Sequence, residues 1–132
     1  MYVVKTKDKG RAVYASPPTR LFDQYAYSAG DVIEKSDVVL FPQKETPDET
    51  IIAYYAFQWD EETLALSFGK SSLFNHSDDP NVGWHIDKEK VQLIFYALRN
   101  INPHEELTIR YGYEEMLSKE KAAFARGDIN NV

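Results

Sequence analysis

Residues 73–81 hold the densest group of side chains that could take part in chemistry. They read Leu-Phe-Asn-His-Ser-Asp-Asp-Pro-Asn, so two large apolar residues lead directly into amide, imidazole, hydroxyl and carboxylate groups. One interpretation is an Asx-rich turn, because Asn, Ser and Asp side chains hydrogen-bond their own backbone. The other is a partly buried polar cluster whose groups need defined partners, one of which could be a ligand. This segment alone leaves both open.

Two further segments carry candidate functional groups. Tyr111 and Tyr113 lie two residues apart at the end of residues 105–113, and on a strand they would share one face. They could equally be core tyrosines near a strand end. Residues 9–11 read Lys-Gly-Arg, and one glycine between basic residues is a weak signal for a phosphate or carboxylate site.

Short strands separated by turn residues must position these groups. Apolar runs rich in β-branched and aromatic residues predict strands over residues 2–6, 12–15, 31–35, 38–41, 50–59, 64–66, 91–98 and 107–111. Only residues 114–126 have a helical pattern, with Tyr113, Leu117 and Phe124 on one face and Gly127 as a stop. These elements predict a mostly β single domain over residues 1–132, closed by one C-terminal helix.

Composition narrows the class of protein. The 132 residues are 43% hydrophobic, which is enough for one domain with a core and excludes a disordered chain. A net charge of −6 disfavours nucleic acid and anionic membranes as partners and suits a basic one. Because there is no cysteine, disulfides and thiol chemistry are excluded. Without a run of about 20 apolar residues, we expect a soluble, intracellular protein, cytoplasmic if its source is prokaryotic.

The order of the three segments resembles that of the SET domain family, the S-adenosylmethionine-dependent protein lysine methyltransferases. A Gly-Arg pair near the start is followed by Asn-His-Ser-x-x-Pro-Asn at 75–81 and by Glu-Glu-Leu-Thr-x-x-Tyr at 105–111. The resemblance covers about residues 9–113. It implies a β-clip fold in which two distant segments form a pseudo-knot, with cofactor and substrate peptide entering from opposite faces.

The resemblance also implies which residues hold the cofactor, S-adenosylmethionine. They lie in the glycine loop, in the Asn-His pair, in the tyrosine motif and on the C-terminal helix: Gly10, Arg11, Ala12, Asn75, His76, Tyr111 and Phe124. The chain departs from the family pattern at Ala12, which replaces a second glycine. Alanine disfavours positive φ, so we expect a less close approach of the backbone to the cofactor there.

A lysine channel and a catalytic group follow from the same resemblance. Tyr111 matches the catalytic tyrosine, and the channel candidates are the aromatic residues Tyr113, Tyr54, Tyr55 and Trp84. An ordinary lysine has a pKa of about 10.4, so a channel that removes water would favour the neutral amine that methyl transfer requires. Ile109 lies where many relatives carry Phe or Tyr, and the number of methyl groups added stays open.

Three functions from different classes remain to be separated. The first is a lysine methyltransferase acting on a basic, lysine-containing protein, without direct binding of nucleic acid or membrane. The second is a catalytically inactive SET-fold module that binds S-adenosylmethionine or a lysine-rich peptide. The third is a metal-dependent β-barrel enzyme using His76, His85 and His104, although no metal-ligand spacing supports it. The small size also suggests a homodimer.

Overall fold

The computed structural model describes residues 1–8, 10–20, 22–45 and 55–110. Two short 3-10 helices lie at Gln43–Glu45 and Lys70–Leu73. The strands of these residues, in chain order, are β1 Tyr2–Lys5, β2 Arg11–Tyr14, β3 Val32–Pro42, β4 Phe57–Gln58, β5 Thr63–Ser67, β6 Asn75–His76, β7 Val82–Asp87, β8 Gln92–Ala97 and β9 Thr108–Ile109. The predicted mostly β fold is confirmed. The predicted helix over residues 114–126 lies outside the described residues, and the single-domain extent stays a prediction.

The strands form one large and two small sheets. The large sheet is antiparallel, in the order β4-β5-β3-β8-β7, and the others are the antiparallel pair β1-β2 and the parallel pair β6-β9. The β6-β9 pair joins Asn75 to Thr108 and His76 to Ile109. Two motifs far apart in the chain therefore run side by side, as the expected pseudo-knot requires of this part of the chain.

β3 is one long strand where the sequence predicts two. Its first half pairs with β8 and its second half with β5. The polar residues Ser36 and Asp37 continue the strand because Ser36 is buried and its hydroxyl group hydrogen-bonds the hydroxyl group of Ser67 on β5. A cross-strand partner thus allows a polar residue inside the sheet, which the residue types alone did not indicate.

Aromatic rings connect the large sheet to the segment that leads into β6. The Phe57 ring meets Trp84 edge-on at 5.1 Å and Phe95 at 5.6 Å, and Phe95 meets Phe74 at 5.6 Å. All four side chains are buried. Since edge-to-face pairs add about 1 kcal/mol each beyond the burial of their area, these contacts hold Phe74, the residue before Asn75, against the sheet.

The sequence did not predict β7, which begins directly after the Asn-His-Ser-x-x-Pro-Asn motif at residues 75–81. Its buried residues Val82, Gly83 and Trp84 do not alternate with polar ones, so the usual period of two is absent. Gly83 is required by close packing, because a Cβ atom there would lie 2.7 Å from Cζ of Tyr96. The glycine that weakens the strand signal is therefore the residue that lets β7 pair with β8.

A carboxylate from β3 fixes the 3-10 helix before β6. Oε1 of Glu34 accepts a hydrogen bond from the backbone N–H of Lys70 at 2.9 Å, and Oε2 accepts one from that of Ser71 at 2.8 Å. The amides at the start of this helix are thus satisfied by a residue distant in sequence. Gly69 makes the contact feasible, because its position carries no side chain where the Glu34 carboxylate lies.

A second carboxylate closes the turn that leads into β9. Glu105 accepts hydrogen bonds from the guanidinium group of Arg99 at 2.7 Å, from Nδ2 of Asn81 at 3.0 Å and from the backbone N–H of Asn102 at 3.2 Å. Partial burial raises the pKa of the Glu105 carboxyl, but the hydrogen bonds from Arg99, Asn81 and Asn102 outweigh burial and hold it below its ordinary value.

Within the described part of the chain, no helix is long and apolar enough to cross a membrane.

Replacing Gly69 by alanine tests the contact between Glu34 and the 3-10 helix. The new Cβ atom would lie 2.1 Å from Oε1 of Glu34, so the carboxylate must leave both amides. Since hydrogen bonds to charged groups are the stronger ones, we expect the free energy of unfolding to fall by about 3 kcal/mol, measured by urea denaturation. In a Glu34→Ala background the same change should cost less than about 1 kcal/mol. An equal cost in both backgrounds would contradict this packing.

Acid should remove the contribution of Glu105 to stability. The pKa of its carboxyl is lower in the folded than in the unfolded chain, so its contribution is complete above about pH 4.3 and is lost as the pH falls through the folded value. The difference in urea midpoint between wild type and Glu105→Gln should therefore be large at about pH 7 and small at about pH 3. Glu61→Gln, which changes an exposed carboxylate, is the control and should show no such trend.

Candidate active site

The loop between β1 and β2 brings the predicted cofactor residues Gly10, Arg11 and Ala12 to one end of the hairpin. Gly10 has φ of +75°, a conformation that favours glycine, and its carbonyl accepts the N–H of Thr6 at 2.5 Å. No atom lies within 4 Å of where its Cβ would be, so the described residues leave space beside it. Arg11 is exposed. The loop therefore offers backbone and one basic side chain to an approaching molecule.

The backbone conformation of Ala12 does not require a glycine. It is fully buried in β2, where it pairs with Val4, and it is absent from the residues with positive φ. Its methyl group therefore packs into the protein at no cost in backbone strain. The departure from the family's second glycine is accommodated by an ordinary extended residue, and the less close approach of the backbone to the cofactor stays a prediction.

Asn75 joins all three motifs through one side chain. Its Nδ2 atom donates to the carbonyl of Arg11 at 2.9 Å and to Oε2 of Glu106 at 2.9 Å, while its backbone pairs with Thr108. Asn75 follows the 3-10 helix Lys70–Leu73 and the buried ring of Phe74, which fix the chain just before it. The glycine loop, the Asn-His pair and the Glu-Glu-Leu-Thr segment thus meet at one place, as their joint occurrence in the sequence predicts.

His76 lies beside two charged groups of opposite sign. Its Nε2 atom is 2.9 Å from Oδ1 of Asp78, and the guanidinium group of Arg110 donates to the carbonyl of Asp78. Burial is the main cause that lowers the pKa of His76; the Asp78 charge opposes this and the Arg110 charge adds to it. The net shift is downward, so the imidazole is neutral at neutral pH.

Asn81 is buried and uses its amide group fully in holding the Glu-Glu-Leu-Thr segment. Nδ2 donates to Oε2 of Glu105 at 3.0 Å and to the carbonyl of Glu106 at 2.8 Å, and Oδ1 accepts the N–H of Thr108 at 2.9 Å. Its exposed fraction is 1%. No role of its own was predicted for Asn81 from the sequence, and the Pro-Asn pair that ends the motif was the available signal.

The aromatic channel candidates differ in their surroundings. Tyr55 is 41% exposed, whereas Trp84 is 3% exposed and packs on Phe57 in the core. The observed contacts of Trp84 are those of a core residue, and its channel role stays a prediction. Four predicted site residues, Tyr54, Tyr111, Tyr113 and Phe124, lie outside the described residues.

The three histidines of the metal-enzyme hypothesis have separate surroundings. His76 meets Asp78, the ring of His85 packs 5.7 Å from that of Tyr96, and Nδ1 of His104 is 2.8 Å from the hydroxyl group of Tyr2. Over residues 1–8, 10–20, 22–45 and 55–110, no three His, Asp or Glu side chains are grouped so as to hold a metal ion. The described geometry therefore gives this hypothesis no ligand set.

An open depression of about 700 Å³ lies elsewhere, at the end of β3 and the start of β5. It is bordered by Leu40, Phe41, Pro42, Gln43, Lys44, Glu61, Glu62 and Thr63. None of these residues belongs to the three motifs. The depression is therefore separate from the site built around Asn75.

Known proteins share both the sequence pattern and the fold of this chain. The SET domain family model matches residues 10–112. A curated relative from Schizosaccharomyces pombe, a histone-lysine N-methyltransferase specific for H3 lysine-37, is 33% identical over 124 residues, which are 92% of this chain and 79% of the relative.

Solved structures of other proteins have a fold similar to that of this chain. The crystal structure of a putative histone methyltransferase from Plasmodium falciparum is 26% identical, with a TM-score of 0.64, over 86% of this chain and 97% of the other. KRYPTONITE in complex with mCHH DNA, an H3(1-15) peptide and SAH is similar in fold, at 23% identity and a TM-score of 0.62, over 89% of this chain and 24% of that chain. The family match over most of the chain, with this agreement in fold, shows that the chain belongs to the SET domain family.

Proposed function

We propose that the protein transfers a methyl group from S-adenosylmethionine to the ε-amine of a lysine in a basic protein. The observation that carries this proposal is the meeting of the glycine loop, the Asn-His pair and the Glu-Glu-Leu-Thr segment at Asn75. Membership of the SET domain family and the lysine methyltransferase among its relatives support the same activity.

The neutral state of His76 suits a cofactor that carries a positive charge. S-adenosylmethionine supplies an electrophilic methyl group on a sulfonium. His76 is neutral at neutral pH and adds no competing positive charge, and Gly10 leaves room for close approach of a ligand to its backbone. Ala12, where the chain departs from the family pattern, is unstrained and buried, so it gives the alternative of an inactive module no structural support.

The roles on the substrate side follow from the chemistry of the amine. The Tyr111 hydroxyl group would orient the lysine nitrogen, and Tyr113, Tyr54, Tyr55 and Trp84 would exclude water from its path. Exclusion of water disfavours the ammonium form, so the amine would reach the cofactor in its neutral, nucleophilic state. Holding two bound partners in line contributes much of the rate of such a transfer. Phe124 would stack on the adenine.

Charge suits a basic substrate. The net charge of −6 would steer a lysine-rich segment towards the protein. Not all of the acidic side chains are free to attract a substrate, because some have partners within the protein. Asp60 accepts the N–H of Glu62 at 2.9 Å, and Asp78 contacts His76. Histone tails are basic, and a histone is the substrate class that the relative from Schizosaccharomyces pombe acts on by name.

Tyr111→Phe tests the catalytic role. By calorimetric titration, S-adenosylmethionine should still bind the variant, which keeps the aromatic ring. Methyl transfer to mixed histones, followed by mass spectrometry, should fall about 100-fold because one orienting hydroxyl group is lost. Tyr96→Phe is the matched control, since its buried hydroxyl group has no hydrogen-bond partner among the described residues and lies outside the three motifs. Binding without transfer by the wild type would favour the inactive module, and no binding would contradict the proposal.

Acidification should weaken cofactor binding through His76. The pKa of this imidazole is below its ordinary value, so it gains a positive charge only in acid, where it would repel the sulfonium. The Kd for S-adenosylmethionine should be flat near pH 7 and rise as the pH falls through the lowered pKa of His76. His76→Gln should remove this dependence and His85→Gln, on β7, should retain it. The same pH dependence in both variants would contradict this role.

A further inference from the structure

We propose that Glu106 is a positioning residue for the cofactor loop and acts through the side chain of Asn75. This inference rests on the proposed function, because it concerns how the loop is held for S-adenosylmethionine. Glu106 has no assigned role in the motif comparison, although it belongs to the Glu-Glu-Leu-Thr segment. Its carboxylate nevertheless lies 2.9 Å from Nδ2 of Asn75, which in turn reaches the carbonyl of Arg11, the residue after Gly10.

The chemistry of the two acceptors fixes the orientation of the Asn75 amide. A carboxylate oxygen and a carbonyl oxygen both face the same atom of Asn75, so that atom must be the nitrogen. Both hydrogens of the NH₂ group are thereby used within the protein. The Asn75 side chain therefore joins protein segments to one another, and contact with the cofactor is left to backbone groups around it.

Glu106 is held firmly enough to position another residue. Its backbone forms an antiparallel bridge with Tyr14 of β2, and its carbonyl accepts Nδ2 of Asn81 at 2.8 Å. On either side, Ala15 donates its N–H to the carbonyl of Glu105 at 2.9 Å and Leu107 donates its N–H to the carbonyl of Val13 at 2.7 Å. With its backbone fixed along β2, the Glu106 carboxylate has a defined place from which to hold Asn75.

The negative charge of Glu106 explains why the contact is effective. A hydrogen bond from a neutral amide to a carboxylate is shorter and stronger than one between neutral groups. Through its hydrogen bond to the Arg11 carbonyl, Asn75 in turn restrains the start of β2. The exposed turn at Gly10 next to it has positive φ, with space around it among the described residues. Loss of the carboxylate should therefore loosen the loop more than it destabilises the whole domain.

Four variants test the inference by titration with S-adenosylmethionine. We expect Glu106→Gln to raise Kd a few-fold and Glu106→Ala about 10-fold, because the first keeps an uncharged acceptor and the second removes it. Asn75→Asp should raise Kd about 100-fold, because a second carboxylate then faces Glu106 and the Arg11 carbonyl. The double variant Asn75→Asp/Glu106→Gln should bind more tightly than Asn75→Asp alone, because the Gln amide can donate to the new carboxylate.

Asp37→Asn is the matched control, since Asp37 accepts the amide of Gln92 at 3.0 Å on the large sheet, away from the loop. It removes the charge from an equivalent amide–carboxylate pair and should leave Kd unchanged. At saturating cofactor, the kcat of Glu106→Ala and its KM for the histone substrate should change less than about twofold, because a positioning residue for the loop affects cofactor binding.

A measurement without ligand separates loosening of the loop from general destabilisation. Hydrogen exchange followed by mass spectrometry should show faster exchange in peptides covering residues 10–14 in Glu106→Ala, with unchanged exchange in β8. Faster exchange throughout, or an unchanged Kd in Glu106→Ala and Glu106→Gln, would overturn the inference. If the wild type itself binds no S-adenosylmethionine, the proposed function fails, and unchanged exchange over residues 10–14 would then overturn this inference separately.

Discussion

The site depends on the complete hydrogen bonding of one buried amide, that of Asn81. An unsatisfied amide in a protein interior costs roughly 1–3 kcal/mol, so this side chain specifies its neighbours closely. Its nitrogen and oxygen together hold Glu105, Glu106 and Thr108. That segment then pairs with β6 and lies along β2, so the Asn81 contacts fix one of the segments that meet at Asn75.

Carboxylates act in this structure mainly as fixed acceptors. Glu34 holds the 3-10 helix before β6, Glu105 holds the turn before β9, and Glu106 holds Asn75. Each joins segments that are distant in sequence, and each is placed by a strand or by a strand-like segment. A net charge of −6 therefore does not describe a uniformly acidic surface, because part of the negative charge is committed to hydrogen bonds that shape the site.

The surroundings of His76 favour its neutral form, which matters for the charge of the proposed site. Partial burial disfavours its charged form, Arg110 adds to this, and the nearby Asp78 does not reverse it. Beside a cationic cofactor, a neutral imidazole would avoid a repulsion that is stronger in a partly desolvated place than in water. Partial burial and the nearby Arg110 charge thus also set the electrostatic character of the imidazole in the proposed site.

By itself the sequence determined the mostly β class, most strand positions and the family, because apolar alternation and the order of three motifs are local or nearly local patterns. It did not indicate the continuity of β3, the existence of β7 or the anchoring by Glu34 and Glu106. Only the tertiary structure decided these. A buried Ser36, a Gly83 under Tyr96 and a carboxylate reaching an amide become favourable only when segments far apart in the chain supply the partner.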